Sequence, residues 1–172
     1  MSKLDEAVIN FAVYEDSTEF LGMAEVTLPE ITRLTAEING NGLNGTFNAP
    51  IIGHFEAMTA TFNFRVPTKE QYSLFENRNH TLDLRAAQQQ RDATTGIIKT
   101  VAVKHVLIVA PTKLSPGKLS PAATADGSGE YSVSYYATYI DGKKVLEIDL
   151  LNCIAIINGK DELADVRKAL GK

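Results

Sequence analysis

Residues 130–149 read EYSVSYYATYIDGKKVLEID, and the pair Asp141-Gly142 decides how this stretch is laid out. Tyr, Val, Ile and Thr dominate both flanks, and Asp-Gly between two such runs is the strongest short signal for a tight turn joining antiparallel strands. Glu130 to Ile140 is therefore read as a strand that returns as Val145 to Asp149. The chain on either side continues the theme. Upstream, Glu56 to Phe64 alternates, with Met58, Ala60, Phe62 and Phe64 set for a core and Ala57, Thr59, Thr61 and Asn63 for the opposite face. Thr81 to Gln90 alternates as well, and the polar turn Arg91 to Gly96 returns it as Ile97 to Ala110, a second hairpin. Nearer the start, Val8 to Tyr14 and Phe20 to Leu28 are strands around the turn Glu15 to Glu19, and Pro29 marks an edge or bulge.

Ile31 to Asn39 splits into two faces. Thr32, Leu34, Ala36 and Ile38 form the better core candidate, leaving Ile31, Arg33, Thr35, Glu37 and Asn39 as a mostly polar row. Two short helices complete the pattern. Thr68 to Asn77 carries a capping threonine, Gln71 three residues on, and the apolar residues Tyr72, Leu74 and Phe75. Asn158 to Asp161 is read as the start of the second, with Leu163, Val166 and Leu170 as its buried face and Gly171 at the C-cap. Residues 1–172 thus make a single, mainly antiparallel β domain, a barrel or sandwich with one or two short flanking helices. An extended loop at about 111–129, rich in Pro, Gly, Ser, Thr and Ala, interrupts it; such a loop either is mobile or, the favoured reading, gains its order against another molecule.

The chain has 172 residues, 44% apolar and 22% charged, ordinary usage for a soluble domain. Its net charge is −4 without a basic block, so a tight electrostatic grip on nucleic acid is not expected. The first ten residues, MSKLDEAVIN, do not read as a secretory signal. Cys153 is the one cysteine; its apolar neighbours in LLNCIAII make it a buried, inert thiol. The sequons at Asn44 and Asn79 are discounted for a chain read as cytoplasmic in origin.

Gly40-Asn41-Gly42-Leu43-Asn44-Gly45 spells the dinucleotide fingerprint G-x-G-x-x-G. The fingerprint works only where a helix follows and its N-terminus holds the pyrophosphate. TFNAPIIGHFEA has no helical recurrence, so a nucleotide-dependent enzyme rests on the glycines alone. His54, His80 and His105 are isolated and are read as ordinary surface or strand residues, without metal-site spacing. Ser128 in Asp126-Gly127-Ser128-Gly129 lacks the nucleophile-elbow spacing and is read as part of a flexible turn. Glu147 and Asp149 share a strand face in a solvated setting. No catalytic, metal or cofactor site is expected.

Three segments carry a resemblance. Val26-Thr27-Leu28-Pro29-Glu30-Ile31-Thr32-Arg33, the run Gly40 to Gly45 with Leu43-Asn44-Gly45, and Asp141 to Gly171 with its DGK-x-x-x-EID pair and N-G-x-D/E-x-L resemble the major tail tube proteins of contractile-tailed bacteriophages. That family also includes the tubes of R-type bacteriocin particles. The resemblance implies a protomer that forms six-membered rings with copies of itself. The rings stack into a tube whose lumen is lined by two hairpins per protomer. It also implies a sheath protein outside, a tape-measure protein inside during assembly, and baseplate hub and tail terminator proteins at the ends. DNA would be a transient passenger of the lumen, or the tube would dissipate a membrane potential. The place of work would be a virion or tail-like particle assembled in a bacterial cytoplasm. No catalytic residue or cofactor comes with the family.

On this resemblance Ile31 to Asn39 and Ala57 to Asn63 form one lining hairpin, with Arg33, Thr35, Glu37, Thr59, Thr61 and Asn63 facing the channel. Ile97 to Ala110 with Glu130 to Ile140 forms the second, with Thr100, Ala102 and Lys104 as its lining candidates. Mixed charge and small hydroxyls would let a polyanion pass without being gripped. Gly40, Gly42, Leu43, Asn44 and Gly45, and Leu114, Pro116 and Leu119 in the long loop, are candidate contacts between rings or protomers. In the last helix Glu162, Asp165, Arg167 and Lys168 are expected to face outward, to solvent or to the sheath. Two alternatives stay open: the polar strand faces are simply an outer surface, and the chain is a monomeric β-sandwich binding module.

Overall fold

The computed structural model describes residues 2–16, 18–19 and 22–172. Along the chain lie β1 (Lys3–Glu15), β2 (Thr18–Glu19), β3 (Met23–Thr27), β4 (Arg33–Ile38), β5 (Phe47–Phe55) and β6 (Met58–Phe64). Helix α1 (Lys69–Leu74) follows, then β7 (His80–Asp92), β8 (Ile98–Ser115), β9 (Gly127–Ile140), β10 (Lys143–Asp149), β11 (Ile154–Ile157), β12 (Lys160–Asp161) and α2 (Ala164–Ala169). The main sheet is antiparallel in the order β12-β11-β10-β9-β8-β7-β1-β2; β6 also pairs with β9, and β3 with β6. Among the described residues, strands β4 and β5 pair only with each other, as a ribbon outside that sheet.

The long hairpins form where the alternation and the turns agree. Asp141 and Gly142 take φ of +49° and +76°, the left-handed pair that a two-residue type I′ turn demands. At the β7–β8 turn, the Asp92 carboxylate accepts from the amides of Thr94 and Thr95 at 2.8 and 3.0 Å. These bonds hold its carboxyl below the usual range. Met58, Ala60, Phe62 and Phe64 are buried, as are Leu82, Leu84, Leu107, Val109, Tyr131 and Val133. Phe62 and Tyr131 pack at 5.0 Å between centroids with their rings tilted by 54°. Burying such side chains contributes about 1.5–3 kcal/mol each.

Several expectations are corrected. The proposed hairpin of Ile31–Asn39 with Ala57–Asn63 does not exist: β4 pairs with β5, while β6 pairs with β3 and β9. Strand β5 carries no clear strand signal in the sequence because Pro50 and Gly53 break its alternation. Leu34 and Ile38, assigned to a core, are exposed, since none of the described residues covers them. The second strand starts at Met23, and Phe20 and Leu21 lie outside the described residues.

The long loop is shorter than 111–129, because β8 runs to Ser115 and β9 begins at Gly127. It is tied within the protomer as well: the Lys118 amide donates to the Ala125 carbonyl and the Ala125 amide to the Arg65 carbonyl. Asn158-Gly159 turns β11 into β12 and does not start a helix. In and beside α2 only Leu163 is buried, and Val166 and Leu170 are exposed. In α1 the Thr68 hydroxyl accepts from the Gln71 amide as expected; Leu74 is buried, but Tyr72 and Phe75 are exposed. Cys153 is half-buried at the turn after β10, with φ of +53°.

Candidate assembly surfaces

The channel candidates divide into two groups. Thr59, Thr61, Asn63, Thr100 and Lys104 occupy the non-core face of one continuous sheet, since their flanking residues Met58, Ala60, Phe62, Phe64, Val101 and Val103 are buried. Register extends this polar row: Thr59 lies opposite Ser132, Thr61 opposite Glu130 and Thr27, and Asn63 opposite Ser128 and Glu25. Around Lys104 the face is charged but balanced. Its Nζ lies 3.7 Å from Asp83, which also accepts from Arg85 at 3.0 Å, and Lys113 lies 3.9 Å from Glu130. Aromatic rings sit between these charges, with Arg85 over Tyr14 and Lys104 and Lys144 over Tyr139. Burial, then its bond to Glu147, pushes the Tyr135 phenol up to about 12.

Arg33, Thr35 and Glu37 belong to the β4–β5 arm instead. The Arg33 guanidinium donates to both oxygens of Glu162 at 2.9 Å, a bidentate pair, and stacks 5.4 Å from the Phe55 centroid. Glu162 is thus turned onto the arm's base rather than outward, and its carboxyl is held below the usual range by that hydrogen bond. Arg167 is likewise committed, to Asp161 and the Cys153 carbonyl. Gly53 sits against Leu163: a Cβ there would lie 2.1 Å from Leu163 Cδ2. These contacts fasten the arm at its base.

Beyond the base, the arm carries exposed apolar side chains on both strands. Leu34, Ile38, Leu43, Phe47, Ile51 and Ile52 are uncovered, Phe47 and Ile52 by 55% and 63%. At the tip, Gly40 and Gly42 take φ of +138° and +92°, and the Leu43 amide donates to the Gly40 carbonyl at 3.2 Å. Asn44 and Gly45 complete this exposed turn. In the second loop Leu114 is half-buried, Pro116 exposed, and Leu119 98% exposed.

One cluster had no local signal in the sequence. His80, read as an ordinary surface or strand residue, is fully buried with Nδ1 2.8 Å from Glu15 Oε1 and Nε2 3.1 Å from the Glu76 carbonyl. Arg78 donates to the same Glu15 oxygen at 2.9 Å. The partners lie 63 and 65 residues apart in the chain, so only the fold brings them together. Among the described residues no three His, Cys, Asp or Glu side chains gather as a metal-binding group. No helix among them is long and apolar enough to cross a membrane.

The profile described as phage tail tube protein FII matches residues 5–171. The chain belongs to that family. Among its relatives, the tail tube protein of Escherichia phage P2 is 26% identical over 163 residues, covering 92% of this chain and 93% of that protein. The major tail tube protein of Serratia phage KSP20 is also 26% identical over 163 residues, covering 94% and 93%. Two solved chains of an extracellular contractile injection system (PVC) share the fold. One is described as the sheath/tube terminator in the extended state: TM-score 0.54, 14% identity, 76% of this chain and 94% of that one. The other belongs to the sheath-tube complex in the extended state: TM-score 0.52, 14% identity, 75% and 87%. The protein is a structural tail tube protein of a phage or a tail-like particle, and its mainly antiparallel β fold with two short helices is the one expected from the sequence.

Proposed function

We propose that six copies of this tail tube protein close into a ring and that the rings stack into the inner tube of a contractile tail. The tube is a hollow conduit for DNA or for penetration of a membrane. The observation that carries this reading is the β4–β5 arm, which exposes apolar residues on both of its strands. A two-stranded ribbon is marginal in water by itself, and uncovered apolar surface of this kind marks a contact site. A second copy of the chain covers it in a ring or stack.

The balanced polar face of β6, β8 and β9 is the wall of the channel, with Thr59, Thr61, Asn63, Thr100 and Lys104 toward the lumen. Because Asp83, Glu130 and Glu25 stand on this face against Arg85, Lys104 and Lys113, DNA passes without the counterion release that holds it to a basic groove. Arg33 is committed to Glu162, so its part is to hold the arm rather than to meet DNA. Gly40 to Gly45, with Leu114, Pro116 and Leu119, supply contacts between rings or protomers. A sheath protein surrounds the tube, a tape-measure protein fills it during assembly in the host cytoplasm, and baseplate hub and terminator proteins close its ends. Electron microscopy of the purified protein at rising concentration tests the reading. Six-membered rings or hollow tubes support it. A persistent monomer contradicts it and favours a β-sandwich binding module.

A further inference from the structure

The sheet has an open seam. Followed as β3-β6-β9-β8-β7-β1, it has β3 at one end and β1 at the other. Among the described residues β3 pairs only with β6, and Lys3 to Val13 of β1 pairs only with β7. The two ends nevertheless approach each other across the core. Val8 and Phe11 of β1 line one groove with Val26 of β3, Leu28, and Leu84 and Ala86 of β7, and Arg85, Gln88 and His105 supply its polar lining. The groove is a cavity of about 190 Å³, predominantly apolar. Its flanks are sheet edges with unpaired N–H and C=O groups, the template to which a strand adds.

We infer that this seam receives the β4–β5 arm of a second copy of the chain, which adds a strand edge to β1 or β3 and buries its apolar side chains in the groove. The inference rests on the tube reading and names the surface the arm meets. Charge singles out this occupant. From Ile38 to Gly53 the arm has no charged residue, matching a groove lined mainly by apolar side chains, with Arg85 its one charged group. The protomer's other exposed apolar segments are mixed with charge: α2 carries Asp165, Arg167 and Lys168, and the tip of β1 carries Lys3, Asp5 and Glu6. The arm does not fill the groove of its own chain, because none of its residues lines it and Phe47, Ile51 and Ile52 stay exposed. A projecting arm and an unlike receiving groove on one chain make a head-to-tail contact, the kind that closes rings or continues a stack.

The test uses the full chain with C153N removing its native thiol, since asparagine tolerates the left-handed conformation found there. Cysteines are placed as F47C in the arm and A86C in the groove, and the assembled protein is mildly oxidised. The expected result is a ladder of covalent oligomers on a denaturing gel, absent from either single-cysteine variant. In the wild type, amides of Val8 to Ala12 should exchange hydrogen at least tenfold more slowly on assembly. Rings or tubes that give neither the ladder nor the slowing overturn this inference and leave the tube reading standing. A wild-type chain that stays monomeric overturns both.

Discussion

Strand β5 ends at Phe55 and β6 begins at Met58, yet these neighbours have opposite surroundings. In β6 every second residue is buried and Phe62 has no exposed surface; in β5 Phe47 and Ile52 are more than half exposed. Both strands have comparable apolar content, so hydrophobicity alone does not separate them. What differs is the partner. β6 lies between β3 and β9 over the core, whereas among the described residues β5 pairs with β4 alone. The protomer completes one hydrophobic surface itself and leaves the other exposed.

The sharpest break of this comparison comes from trimming a phenylalanine on each side. Phe62→Ala should destabilise the protomer by about 3–5 kcal/mol in urea unfolding, the usual cost of emptying a core aromatic site. Phe47→Ala should leave protomer stability within about 0.5 kcal/mol, as for an exposed position, while lowering the fraction assembled at equal concentration. Equal losses of stability in the two variants would mean that the arm belongs to the protomer's own core.

How much of this could be read from the sequence follows the same division. Strands β6, β7, β8, β9 and β10 were legible because one face is buried and one is not, which imposes a period of two. The ribbon was only half legible, since both faces of β5 carry apolar residues and Pro50 interrupts it. The loop candidates at Gly40 to Gly45 were found through their glycines, but the apolar residues Phe47, Ile51 and Ile52 beside them were not. Long-range polar pairs had no local signal: Arg33 meets Glu162 across 129 residues, and His80 meets Glu15 across 65.

The joint between the two regions gives the next largest effects. Gly53→Ala should cost about 1–3 kcal/mol through overpacking against Leu163, with faster hydrogen exchange confined to β4 and β5. Within the body, His80→Ala leaves the buried Glu15 without one of its partners and should cost about 1–3 kcal/mol in the same unfolding assay, with arm exchange unchanged. At the tip, Gly42→Val forces a branched side chain into a left-handed conformation at φ +92°, a strain of about 1–2 kcal/mol. Open space surrounds that site, so the variant should fold, assemble poorly by light scattering, and show no change in nucleotide binding.

The smallest effect tests the clamp by pH. Arg33 holds the Glu162 carboxyl below its ordinary value of 4.5. A depressed acid stabilises the folded state fully above that value, and the contribution is lost as pH falls through the folded-state value. Both side chains are partly solvated, so about 0.2–1 kcal/mol is expected. Protection of arm amides should therefore weaken below pH 4.5 in the wild type, and Glu162→Gln should flatten that dependence.

The central claim is that the body folds alone and the arm joins copies. Phe47→Asp against wild type tests it most directly, with thermal unfolding of both as dilute, unassembled protomers and electron microscopy of both at assembling concentration. The account predicts matching protomer melting curves, with rings or tubes for the wild type and single protomers for the variant. Rings or tubes formed equally well by Phe47→Asp would contradict it.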